Sequence, residues 1–172
     1  INTNFILKSL KIKEFSPEFI VDVGCGHGEW TKKMIKYFKN SKYLLFDANN
    51  ENKEKLEELI KDNVNIKYQI SLLSDDNHSY KFYKMGYGSS IFEEQTSHKR
   101  TMEHIVSKKL YNELPKEIEN FNNNMIKLDV QGSELKVLNG LGDLINKFEI
   151  IILETSIHKF NKNAPLFNEI IS

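Results

Sequence analysis

Val21-Asp22-Val23-Gly24-Cys25-Gly26-His27-Gly28 is the stretch on which the fold turns. It runs from a β-branched apolar segment into three glycines at alternate positions. Glycine reaches positive φ values that other residues avoid, so the chain can turn tightly there and bring its backbone against a ligand. Upstream, Phe19-Ile20-Val21-Asp22-Val23 follows the breaker Pro17 and reads as a buried strand. Downstream, Trp30, Met34, Ile35 and Phe38 recur at helical spacing, with Lys32, Lys33, Lys36 and Lys39 on the other side. A strand that passes through a glycine turn into a helix brings the free amide donors of the helix N-terminus to that turn, which implies a ligand site.

The same alternation continues outward. Tyr43-Leu44-Leu45-Phe46 reads as a second strand, followed by Asp47-Ala48-Asn49-Asn50 and a helix carrying Leu56, Leu59 and Ile60. A third strand is expected over 66–73 and a further one over 80–85, after the polar turn 74–79. Another buried strand is expected over 125–130. Leu135, Leu138, Leu141 and Ile145 mark its helix, which Gly140 and Gly142 end or loosen. The last clear strand is 149–153. Short apolar runs alternating with amphipathic helices predict an α/β fold, with a mostly parallel sheet flanked by helices. Residues 92–124 are polar and weakly periodic, and are expected to be irregular. A chain of 172 residues has material for one core, so a single domain over 1–172 is expected. It starts at Ile1 and stops at Ser172 within an apparent helix, from which we expect both ends to be trimmed.

Composition narrows the partners. Lys+Arg and Asp+Glu both number 24, so the formal net charge is zero and no general attraction to phosphate backbones or anionic membranes is built in. Neither nucleic acid nor a membrane is expected as a partner. Cys25 is the single cysteine, which excludes a disulfide framework; no signal pattern opens the chain, and a cytoplasmic location is expected.

Three features gather where such a sheet binds ligands, at the carboxyl ends of its strands. In the glycine turn, Glu29 stands where a dinucleotide fingerprint needs its third glycine, which disfavours NAD, and no Gly-Lys-Ser/Thr follows to form a triphosphate loop. Asp47 ends the second strand, where a carboxylate can accept from both hydroxyls of a ribose; it also suits a helix cap or a turn. Asp129 ends the strand in Ile126-Lys127-Leu128-Asp129-Val130-Gln131-Gly132-Ser133-Glu134 and should face the same crevice. An adenosine-type cofactor fits, with Asp22, Gly24, Cys25, Gly26, Gly28, Asp47, Ala48, Asn49, Ser71 and Leu72 as the candidates to bind it. Cys25 is expected to be a small side chain packed in a turn rather than a nucleophile. His27 is expected to be a loop donor or solvent-facing. His98 and His104 lack the spacing of a zinc site, and no metal centre is expected. Glu134 either orients the loop of Asp129 or caps its own helix. The 86–90 turn either closes over the cofactor or is an ordinary loop.

The run from Lys127 to Gly140, Lys-Leu-Asp-Val-Gln-Gly-Ser-Glu-Leu-Lys-Val-Leu-Asn-Gly, resembles the signature of the FkbM family of S-adenosylmethionine (SAM)-dependent methyltransferases. Residues 21–28, Phe46-Asp47-Ala48-Asn49, Gly88-Ser89-Ser90-Ile91 and Ile152-Leu153-Glu154 resemble the family's other blocks in the same order. The resemblance implies a Rossmann-like class I methyltransferase domain, SAM as cofactor, and O-methylation of sugars, polyketides or related metabolites; together with the balanced charge it implies a small-molecule or glycan acceptor, largely uncharged or sugar-like. Asp47 stands where many members carry glutamate. The sequence stops before the final antiparallel strand pair of class I enzymes, so that pair is expected to be lacking or truncated. Within this chemistry Asp129 is the first candidate for catalytic base and His158 the second. Asp129 has alternative roles as a cofactor ligand, a ligand to a divalent metal, or a helix cap. A non-catalytic SAM- or adenosine-binding module is the alternative function. An RNA methyltransferase is less favoured, because no basic stripe interleaved with aromatics is present.

Overall fold

The computed structural model describes residues 3–12 and 14–170. Five parallel strands form the main sheet: β1 (Phe19–Val23), β2 (Lys42–Asp47), β3 (Ile66–Ile70), β8 (Asn124–Leu128) and β9 (Phe148–Leu153), in the order β3-β2-β1-β8-β9. The chain builds outward from β1 to β3 and then returns to lay β8 on the other side of β1. The switch point therefore lies between β1 and β8, where sheets of this kind open a crevice.

All five residues of β1 and of β8 are buried, which is why both read as largely apolar runs, broken only by Asp22, Asn124 and Lys127. Alternate side chains enter opposite layers. Val21, Val23, Phe46 and Ile126 pack with Leu110, Val137 and Leu141, from α4 (Leu110–Glu113) and α5 (Glu134–Leu141). Ile20, Leu45 and Met125 pack with Leu7, Trp30, Met34 and Leu56, from α1 (Thr3–Ile12), α2 (Glu29–Ile35) and α3 (Lys53–Lys61). The result is a helix-sheet-helix sandwich in which every strand end on one edge is left to loops.

Four expectations need correction. The third strand stops at Ile70 rather than continuing to 73; Leu73 and Ser74 form β4 (Leu73–Ser74), which pairs in parallel with β7 (Lys108–Lys109) away from the main sheet. The strand expected over 80–85 is β5 (Ser79–Lys84), paired antiparallel with β6 (Thr101–Val106) in a separate ribbon. Residues 92–124 accordingly hold β6, β7, α4 and a 3-10 helix over Lys116–Asn120, and are not wholly irregular. Finally, β8 ends at Leu128, because Gln131 at φ 51° and Gly132 at φ 105° bend the chain into a loop that carries Asp129 and Val130.

Among the described residues β9 is an edge of the main sheet, and no antiparallel strand joins it. A last short helix, α6 (Phe167–Ile170), follows; the expectation that Ser172 lies within a helix falls outside the described residues. No described helix is long and apolar enough to cross a membrane.

Candidate functional site

A cleft of about 390 Å³ opens where β1, β2, β8 and β9 end, within the range of small-molecule sites. Its floor is the glycine turn. Gly24 and Cys25 both donate backbone N–H to the Phe46 carbonyl, at 2.9 and 3.1 Å. Gly24 has φ 72°, and a Cβ there would lie 1.9 Å from the Asp129 carbonyl oxygen, so only glycine lets the two loops touch. Gly26 donates to Asp47 Oδ2 at 2.7 Å, while Asp47 Oδ1 accepts from Asn49 N–H at 2.8 Å and from the Asn52 side chain at 3.0 Å. Asp47 thus bolts the β2 loop to the glycine turn. Three of the roughly four acceptor directions of a carboxylate are used, leaving one on Oδ2. Burial pushes the Asp47 carboxyl above its ordinary pKa despite these bonds.

Beneath the turn lies a buried ion pair. Lys127 Nζ is 3.0 Å from Asp22 Oδ1 and 3.5 Å from Asp129 Oδ2, and donates to the Gly24 carbonyl at 3.3 Å. Asp22 Oδ2 accepts from the Thr31 hydroxyl at 2.6 Å. Burial alone would lower the Lys127 ammonium, but Asp22 and Asp129 outweigh it and hold its pKa above the ordinary value. Sequence reasoning gave Lys127 no role, although the signal was present: a lysine inside Met125-Ile126-Lys127-Leu128 must find a partner once that strand is buried.

Asp129 is half-buried at the cleft wall, and the Gln131 amide donates to its Oδ1 at 3.0 Å. Burial raises its pKa, Lys127 lowers it and Glu154 raises it, with a net upward shift. Glu154, at the end of β9, lines the same cleft. Glu134 is fully buried and accepts the backbone N–H groups of Val130 and Gly132, each at 3.0 Å. Of its two expected roles it therefore has the first, orienting the loop of Asp129. Asp129 itself is not a helix cap, and Ser133, at the N-cap of α5, makes no side-chain cap bond.

The cleft gathers Gly24, Cys25, Gly26, Asp47 and Ala48 from the glycine turn and the end of β2. Ser71, Leu72 and Asp129 join them. Asp22, Gly28 and Asn49 do not line it. Asp22 is fully buried against Lys127, which itself lines the cleft; Gly28 packs where a Cβ would meet Leu59 at 2.5 Å; Asn49 closes its own turn by accepting from Glu51 N–H. His158 is exposed, with its ring edge-on to Phe160, and also lies outside the cleft. Burial pushes the Cys25 thiol well up, as a side chain packed in a turn requires. The 86–90 turn borders the cleft: the Tyr87 hydroxyl is 3.2 Å from His27 Nδ1, and Ser90 donates to the Gln131 carbonyl at 2.8 Å. Among the described residues, two buried polar side chains on the lining, Ser71 Oγ and Trp30 Nε1, have no hydrogen-bond partner. Among the described residues no group of three or more His, Cys, Asp or Glu side chains is placed to hold a metal ion.

The family model for the methyltransferase FkbM domain matches residues 22–172. No curated protein sequence matches significantly. One similar solved structure is a proposed sarcosine dimethylglycine methyltransferase from Galdieria sulphuraria, 15% identical, with a TM-score of 0.32 over 43% of this chain and 32% of that one. Another is a coclaurine N-methyltransferase bound to N-methylheliamine and SAH, 13% identical, with a TM-score of 0.43 over 87% of this chain and 34% of that one. The chain spans about a third of the length of either structure.

Proposed function

The chain belongs to the FkbM methyltransferase family, and from that premise we propose that it transfers a methyl group from SAM to a hydroxyl on a sugar, glycan or other small metabolite. The observation that carries this reading is the convergence of Gly24, Asp47 and Asp129, from three separate strand ends, on one cleft. The residues present fit the cofactor. Asp47 keeps one acceptor direction for a ribose hydroxyl, and Ser71 Oγ and Trp30 Nε1 are buried polar groups still wanting partners. Carboxylates of Asp47, Asp129 and Glu154 on the lining suit a cationic ligand. When bound, SAM supplies an electrophilic methyl on a sulfonium, and the protein's task is alignment.

The proton balance falls to this chain's own groups. An acceptor hydroxyl gives its proton to the Asp129 carboxylate as the oxygen becomes a nucleophile. Burial makes that carboxylate a stronger base than a solvated one, while Lys127 at 3.5 Å keeps its ionised form accessible. Lys127 is fixed in turn by Asp22, and the loop carrying Asp129 is fixed by Glu134. Asp129 is preferred to His158 as the base because only Asp129 reaches the cleft.

Incubation with methyl-labelled SAM and a panel of sugars, glycans and nucleic acids tests this reading. Label is expected in a sugar hydroxyl, and Asp129→Asn should cut turnover by roughly 10²–10⁴-fold with SAH affinity retained. SAH should bind, whereas NAD and ATP should not. A parallel loss of SAH affinity would move Asp129 into the cofactor site, and label in RNA alone would overturn the acceptor class.

A further inference from the structure

The hairpin ribbon and the loop that closes it form a second, open groove beside the cleft, lined by Lys84, Gly86, His98, Lys99 and Arg100. The two cavities are adjacent. Gly86 lines both, and Asn52 lines the cleft while its chain neighbour Glu51 lines the groove. A molecule whose hydroxyl lay beside Asp129 would have this groove as an exit for the rest of its body. We propose that the groove is the acceptor's second subsite and that it binds an oxyanion, a phosphate or a carboxylate, carried by that acceptor.

The charges support this once the compensated ones are set aside. Lys84 is spent: its Nζ lies 3.1 Å from Glu103, 3.6 Å from Glu51 and 2.9 Å from Asn50 Oδ1, with the side chain only 13% exposed. Lys99 and Arg100 have no carboxylate partner among the described residues. The nearby Glu94 carboxylate accepts from the Thr96 hydroxyl at 2.9 Å. Arg100 donates from Nη1 to the Glu94 carbonyl and from Nη2 to the Thr96 carbonyl, which pins the loop and holds the guanidinium rigid without neutralising it. Among the described residues its other N–H groups make no hydrogen bond, and they can meet an anion. Arg100 is also the chain's sole arginine among 24 basic residues. Lysine serves the solvated helix faces, whereas a rigid planar fork suits carboxylate and phosphate recognition. Exposed His98 adds a further donor at the rim. The balanced charge of the whole chain pointed to a largely uncharged acceptor; the local surplus here departs from that.

The groove's role as an acceptor subsite rests on the methyl-transfer reading, but anion binding can be measured without turnover. Amide NMR titrations of the SAH-loaded chain with inorganic phosphate, glucose 1-phosphate, glucuronate and glucose provide the test, with SAH affinity followed by calorimetry. Both sugar anions should shift the signals of 98–101, glucose should not, and Lys99→Glu should weaken each anion at least five-fold with SAH affinity unchanged. Tighter binding of the sugar phosphate identifies a phosphorylated acceptor, and tighter binding of glucuronate an acidic sugar. Arg100→Ala should weaken the anions as well, and Lys99→Glu, an exposed change, covers the case in which that variant loosens the loop. Equal shifts with glucose, shifts spread over the lysine-rich helices, or inorganic phosphate binding as well as either sugar anion would overturn the subsite. Failure to bind SAH while the anion shifts persist would instead remove the methyltransferase reading and leave the groove standing.

Discussion

Lys127 shows how a single residue ties stability to chemistry. Its ammonium is almost wholly enclosed and is shared between Asp22, which holds it, and Asp129, which faces the cleft. Removing one member of a buried pair strands the other charge, at a cost of about 3–5 kcal/mol. Lys127→Met should therefore lower unfolding free energy by that amount in urea titration, and a loss below about 1 kcal/mol would mean that water reaches Asp22. The carboxyl of Asp129 makes a separate prediction through pH. Burial raises its folded-state pKa above the unfolded value of about 3.9, so the fold binds its proton more tightly than the unfolded chain does. Its contribution to stability is then fully present below pH ~4 and is lost as pH rises through the raised value. Asp129→Asn cannot ionise, so its melting temperature relative to wild type should rise between pH ~4 and pH ~7; a flat difference across that window contradicts the burial argument. Much of this site was legible in the residues. Gly24, Gly26, Asp47 and Asp129 advertise strand ends and turns, whereas the inward direction of Asp22 and Asn49 depends on what packs beneath them.

Elements were legible in proportion to how much of their stabilisation is local. The fully buried strands β1 and β8, β2 with only Lys42 exposed, and the more open β9 announce themselves as apolar runs, and α3 as an amphipathic repeat. The β5–β6 ribbon does not, because one face of it is in water. Thr101, Met102, His104 and Val106 are exposed, and the strand that Thr101-Met102-Glu103-His104-Ile105-Val106 must find lies beyond a long loop. The early end of β3 has a similar cause. β4 leaves the main sheet to lie against α5 at Gly140, where a Cβ would sit 2.2 Å from the Ser74 carbonyl oxygen. That glycine looks like a helix weakener in sequence and is a packing requirement in space. Gly140→Ala should consequently destabilise by about 1–3 kcal/mol despite alanine's better helix propensity. Denaturant unfolding of the variant checks the sign; a more stable protein would show that β4 can shift at no cost.

At the scale of the whole molecule, the sheet order places the reversal between β1 and β8, and the loops of both halves close on the cleft found there. The glycine turn is tied to β2 by Phe46 and Asp47, and to the β8 loop by the close approach of Gly24 to Asp129. A ligand filling this cleft touches both halves at once, so its binding should be felt as global stability rather than as local ordering alone. A ligand that binds only the folded state stabilises it by RT ln(1 + [L]/Kd), about 2.7 kcal/mol at a hundred-fold excess over Kd. For a domain of this size each kcal/mol is worth about 2–4 °C, so SAH at that excess should raise Tm by roughly 5–11 °C. The shift should grow with the logarithm of SAH concentration, and NAD or ATP at the same concentrations should give none. Asp47→Ala should reduce the shift, because a hydrogen bond to a charged group is worth about 1.5–3 kcal/mol and the anchor of Gly26 goes with it. An unchanged shift in that variant would take Asp47 out of the cofactor site. No shift with SAH in the wild-type chain, together with one for NAD, would mean that the Glu29 departure from the dinucleotide pattern had been misread.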